Sequence, residues 1–183
     1  MDSQCRNINR RKLAGLILVL FFVCPWLNYA AAQDQEASEN LVATRIASLI
    51  RETIEGSKIR LKDGSSATVM PVLPSSDALQ EVKRYGDRAV KVLAAYASSS
   101  QSLEQHVSLR FLLEFHDDAA LDAVQGFAGK SAFAVIRQEA VAGLTGFPSE
   151  KGKRYIEHIC NTDSDPDVRA HACRAVETSD KKR

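Results

Sequence analysis

Two short pairs hold most of the metal-binding and redox chemistry this sequence offers: His158-Ile159-Cys160 and His171-Ala172-Cys173. Together they make a Cys2His2 set, the composition of a structural zinc site. The spacing speaks against that use, because residues two apart on a helix point roughly 200° away from each other and cannot easily close on one ion. No metal is expected here. The same cysteines fall on consecutive helical segments, so a Cys160–Cys173 disulfide competes with two buried free thiols. Beyond these pairs the chain is poor in catalytic signals. No serine sits in a G-x-S-x-G setting, no glycine-rich phosphate loop follows a strand, and no H-E-x-x-H is present. Asp117-Asp118 stands where a helix N-terminus favours negative charge. His106 and His116 read as surface or cap residues, and Phe111, Phe115, Phe127, Phe133 and Phe147 recur at helical core spacing. Neither a catalytic residue nor a cofactor is predicted.

The elements that position these residues begin after an export signal. Arg6, Arg10, Arg11 and Lys12 precede an apolar run from Leu13 to Leu27, and Ala30-Ala31-Ala32 supplies small residues before Gln33. Cleavage after Ala32 is expected, because 15 helical residues reach only roughly 22 Å against a hydrocarbon core of roughly 30 Å. An uncleaved segment would instead make the protein an envelope-anchored scaffold. Removal takes four cations and one anion (Asp2), so the formal charge of +1 becomes about −2. That balance gives no support for nucleic-acid or membrane-surface binding, which needs a basic patch or stripe. With 45% hydrophobic and 26% charged residues in 183, the composition is that of a globular chain rather than a disordered one. The expected organisation is a signal at 1–32, a flexible leader at 33–39, a helix plus hairpin at 40–72 and a helical domain at 73–180.

In NLVATRIASLIRETIEG, Leu41 or Val42 with Ile46, Leu49, Ile50 and Ile54 falls on one helical face, with Asn40 as N-cap and Gly56 as terminator. Lys58–Lys62 alternates, Asp63-Gly64 is a turn signal and Ala67–Pro71 returns, which predicts a β-hairpin closed by Pro71 and Pro74. From Ser76 onward the chain reads as helical. A shift of 32 superposes Leu112 on Leu144, Phe115 on Phe147, Val124 on Ile156 and Phe127 on Ile159. It also superposes Ile136 on Val168, Arg137 on Arg169, Ala140 on Ala172 and Val141 on Cys173. A period of this kind running through three units is the mark of a repeat architecture. Ser102-Leu-Glu-Gln105 has capping-box form, and Asp117, Ser131, Ser149 and Asp165-Pro166 are placed to open further helices.

The segment Asp163-Ser-Asp165-Pro166-Asp-Val168-Arg169-Ala-His-Ala172-Cys173-Arg-Ala175-Val176 resembles the turn and first helix of HEAT repeats, specifically the short HEAT-like repeats of phycobilisome lyases and of many bacterial proteins. Ala134–Val141 is a weaker copy without the Asp-Pro. The resemblance covers roughly residues 76 to 180 and implies an all-α superhelix of about three repeats, with the N-terminal helix and hairpin as a cap. It implies that Arg137 and Arg169 pair with a turn aspartate of the same or the preceding repeat, with Asp163, Asp165 and Asp167 the local candidates. It further implies that second helices line the concave side, where Lys91, Asp122, Gln125, Arg154, Glu157 and His158 would face a protein partner. The function it implies is a non-catalytic interaction module, which the signal would make that of an exported bacterial protein; a lyase-like or enzyme-associated role is the alternative. Partner identity and oligomeric state stay open.

Overall fold

The computed structural model describes residues 35–62 and 65–180. The segment read as an export signal (1–32) and the turn signal Asp63-Gly64 lie outside the described residues. The chain divides into two compact units, Met1–Leu41 and Val42–Arg183. In the first, residues 35–41 are helical, and the Gln35 amide donates to the Glu39 carboxylate one turn on at 3.4 Å. Asn40 therefore lies within helical backbone and is not the N-cap expected of it.

The second unit opens with α1 (42–56), which buries Val42, Ile46, Leu49 and Ile50. That is the i, i+4, i+7, i+8 stripe of a helix with one face on a core. Strands β1 (Lys58–Arg60) and β2 (Ser66–Thr68) pair antiparallel, with Ile59 opposite Ala67. Seven helices follow: α2 (Ser76–Arg84), α3 (Asp87–Ala95), α4 (Ser102–Leu112), α5 (Asp118–Lys130), α6 (Ala134–Leu144), α7 (Glu150–Thr162) and α8 (Pro166–Asp180). A single 3-10 turn, Tyr96–Ser98, separates α3 from α4. The described fold is thus predominantly helical with one small two-stranded sheet, all-α in class. Arg45 of α1 forks onto Glu81 of α2 at 2.6 and 2.8 Å, and this bond holds the Glu81 carboxyl below its ordinary range.

Local chemistry sets the helix starts. The Asp117 carboxylate accepts the Ala120 amide at 2.8 Å, the Ser149 hydroxyl accepts that of Lys151 at 3.2 Å, and Ser75 accepts that of Ala78 at 3.2 Å. Asp165 caps α8 through the amides of Asp167 and Val168, with Pro166 at the first helical position. Gly86, before α3, takes a φ of 54°, a conformation that favours glycine. Two expected starts are displaced. Gln101 occupies the N-cap of α4, so Ser102 forms no capping box, and Ser131 closes α5 while Phe133 stands at the N-cap of α6.

Helix α4 packs on α6 and α6 on α8; α3 packs on α5 and α5 on α7. The two rows are joined by α3 with α4, α5 with α6 and α7 with α8. One apolar core runs through them, including Leu93, Phe111, Leu112, Leu121, Phe127, Ile136, Leu144, Ile156 and Val168. Burial of each large apolar side chain contributes roughly 1.5–3 kcal/mol. Helix α4 is enclosed on nearly every side, since Gln105, His106, Val107, Ser108, Leu109, Phe111 and Leu112 are all buried. By contrast Arg174 and Glu177 of α8 are exposed, as are Arg154 and Asn161 of α7.

Candidate functional site

The 32-residue period that aligns apolar side chains also governs a line of polar ones at the starts of α4, α6 and α8. The Ser99 hydroxyl, the Ser131 hydroxyl and the Asp163 carboxylate each accept a backbone amide two residues on, from Gln101, Phe133 and Asp165 at 3.1, 3.1 and 2.8 Å. Six residues after each comes a long donor that reaches back to its carbonyl. Gln105 donates to the Ser99 oxygen at 2.6 Å, Arg137 to that of Ser131 at 2.9 Å, and Arg169 to that of Asp163 at 2.7 Å. The same side chains reach forward as well. The Ser131 hydroxyl donates to Gln105 Oε1 at 2.5 Å, and Arg137 forks onto both Asp163 oxygens at 2.9 and 3.0 Å.

Arg137 thus pairs with the turn ahead of it rather than with its own or the preceding one, and Asp165 serves as helix cap instead of guanidinium partner. Arg169 meets backbone carbonyls, those of Asp163 and Ser164, and no carboxylate among the described residues. Burial alone pushes the Asp163 carboxyl up; hydrogen bonds from Arg137 and the Asp165 amide, with the charges of Arg137 and Arg169, outweigh it and hold the group below the aspartate range. The side chains of Arg137 and Asp163 are only 11% and 7% exposed, which makes their contact a buried, bidentate pair.

A second polar cluster joins α4 to α6 and corrects the surface reading of His106. That residue is buried, with Nδ1 2.7 Å from Glu139 Oε2. Arg110 lies 2.6 Å from the other Glu139 oxygen but off the angle of a hydrogen bond, so the contact is an ion pair only. Among the described residues, His106 Nε2 and the Ser108 hydroxyl are buried without a hydrogen-bond partner. His116 is exposed and meets the Phe147 ring edge-on, with centroids 6.2 Å apart.

Cys160 on α7 and Cys173 on α8 form a disulfide whose Cα atoms are 4.9 Å apart. Their histidine neighbours go elsewhere: His158 is exposed beside Tyr155, and His171 is half-buried facing α6. No three ligating side chains converge among the described residues.

The six residues expected to face a partner lie on α3, α5 and α7. Lys91, Asp122, Arg154 and His158 are exposed; Gln125 and Glu157 are half-buried. Asp122 is paired with Lys151 across α5 and α7. The Gln125 amide nitrogen is buried without an acceptor among the described residues. Beside them a concavity of about 580 Å³ is lined by Gly129, Arg137, Tyr155, His158, Thr162 and Asp163 among others. A Cβ at Gly129 would overlap the Tyr155 hydroxyl, so this glycine leaves room for that oxygen, and burial lifts the Tyr155 phenol above its ordinary value.

Sequence reasoning singled out Arg137 and Arg169 but missed Ser99, Gln105, Ser131, His106 and Glu139. The shift of 32 already contained the first three: it places Gln105 on Arg137 and Ser99 on Ser131 and Asp163. The signal is hidden because a neutral amide and a hydroxyl stand where a guanidinium and a carboxylate appear later. No family model, curated protein or solved structure matches the chain, and among the described residues no helix is long and apolar enough to cross a membrane.

Proposed function

We propose that this chain is a short HEAT-like α-solenoid that acts as a non-catalytic protein-interaction module of an exported protein. One observation carries the reading: the 32-residue period recurs in hydrogen bonds as well as in sequence, from Ser99–Gln105 through Ser131–Arg137 to Asp163–Arg169. A repeat whose polar contacts bridge each turn to the next is built to stack, and stacked helix pairs offer an extended surface to a partner. The succession of α3, α5 and α7 supports placing that surface on the second helices, where Lys91, Asp122, Arg154 and His158 face solvent. The Ser131, Arg137 and Asp163 side chains spend their hydrogen bonds within the protein, which fits a structural role for the ladder.

A photo-crosslinking amino acid installed in turn at Lys91, Arg154 and Arg174 in the full chain tests the reading in producing cells. One discrete crosslinked species from the α3 and α7 positions, absent from Arg174 on α8, is the expected result. Equal products from all three positions, or none from any, would refute a binding surface on the second helices.

A further inference from the structure

The hairpin of β1 and β2 is the least buried part of the second unit, and its exposure is patterned. Of seven large hydrophobic side chains left exposed among the described residues, five lie within or just after it: Ile59, Leu61, Val69, Met70 and Leu73. The register puts Ile59, Leu61 and Val69 on one face, because Val69 donates to the Ser57 carbonyl and Leu61 to that of Ser65, both at 2.8 Å, while Ile59 stands opposite Ala67. The alternate positions of the β1 segment are all cations in sequence: Lys58, Arg60 and Lys62. Ladder bonds of an antiparallel pair come from every second residue, so the backbone groups of Lys58 and Arg60 point away from β2. Nothing among the described residues pairs with them, since the sheet has two strands.

Lysines on an edge strand can by themselves serve to repel unwanted pairing. That explains the cations but not the apolar face, which a purely defensive edge would leave polar. Lys58 is engaged with Glu55 at 2.6 Å, an exposed pair of the kind that a competing carboxylate readily exchanges. An added strand would meet apolar neighbours on one face and positive charge on the other, and opposite charges across strands attract while like charges repel.

We propose that the free edge of β1 is a strand-addition site for an extended partner segment in which acidic and apolar residues alternate. Its backbone completes the hydrogen bonds of Lys58 and Arg60, its acidic side chains lie beside Lys58 and Lys62, and its apolar side chains cover Ile59 and Leu61. The site is separate from the second-helix surface and stands or falls independently of it.

The probe is a labelled heptapeptide of alternating glutamate and valine, titrated into the full chain at about 0.1 M salt and followed by fluorescence anisotropy. Binding about tenfold or more tighter than that of the lysine–valine counterpart is expected, with slowed exchange of the Lys58 and Arg60 amides. The double variant Lys58→Glu/Lys62→Glu should reverse the peptide preference, and Ile59→Ser should weaken binding of the first peptide. Circular dichroism checks that the helices are unchanged in each variant. Equal affinity for the two peptides, no binding, or a preference that survives charge reversal overturns the proposal. So does protection of the Lys58 and Arg60 amides that rises with protein concentration alone, since the edge would then pair with a second copy.

Discussion

Replacing Asp163 by alanine removes the carboxylate onto which the largely buried Arg137 guanidinium forks. With side chains 11% and 7% exposed, both members of the pair are largely out of water. Deleting either strips the other of its forked partner, at a cost of about 3–5 kcal/mol. At about 3 °C per kcal/mol for a domain of this size, the expected drop in Tm is about 10–15 °C. Arg137→Ala should fall in the same range, and the double variant should recover coupling of about 2 kcal/mol in a denaturant-based cycle. Arg169→Ala is the control, since its hydrogen bonds go to backbone carbonyls at a partly exposed site and its charge is the weakest influence on Asp163, so it should cost about 1 kcal/mol. The pH dependence has a definite sign. Because the folded carboxyl is held below its ordinary value of 3.8, its contribution is complete above that pH and is lost as pH falls through the lower folded value. The gap between wild type and Asp163→Ala should therefore close in acid. Equal losses for Arg137→Ala and Arg169→Ala, or no measurable coupling between Arg137 and Asp163, would show that the fork does not hold the turns together.

Further expectations come from the same contacts. Replacing both Cys160 and Cys173 by alanine should cost about 2–4 kcal/mol, and thermal melts with and without a thiol reductant should differ by a matching amount only for the wild type. Gly143→Ala should destabilise in chemical denaturation by about 1 kcal/mol despite better helix propensity, because the new Cβ overlaps Leu113; trimming Leu113 to alanine should make the same change favourable. Glu139→Ala should lower Tm by several degrees, because it strips the carboxylate from both Arg110 and the buried His106. His106→Leu should cost less, since it also removes a buried ring nitrogen that lacks a partner.

What the sequence disclosed was mostly local. Asp117, Ser149 and Asp165-Pro166 open helices as their types and positions require, because a cap depends on the next three amides and little else. Ser102–Gln105 misled because the Gln105 amide is drawn to the Ser99 carbonyl by the turn before α4, a contact outside the four-residue pattern. A histidine standing alone on a helix reads as a surface or cap residue, and His106 is neither. Burial on nearly every side of α4 depends on its neighbours in the packed unit, and a single-helix periodicity carries no trace of that. Arg137 was singled out, but the direction of its pairing depends on how far α6 is offset from the turn ahead, which only the packed chain fixes. For the candidate contact surface, helix assignment put Asp122 and Arg154 on second helices, while the Asp122–Lys151 pair across α5 and α7 was not legible at all.

The forward reach of the ladder bears on how the protein acquires its fold during synthesis. Ribosomes deliver the N-terminal helices first, yet Arg137 finds its carboxylate 26 residues further on. Until that turn emerges, α6 holds a cation with nothing to neutralise it, and Gln105 waits likewise for the Ser131 hydroxyl. The polar contacts that start at α4 and α6 are thus each completed by the turn that follows. The ladder is therefore complete only with the final turn, and a chain ending before Asp163 would lack the carboxylate onto which Arg137 forks.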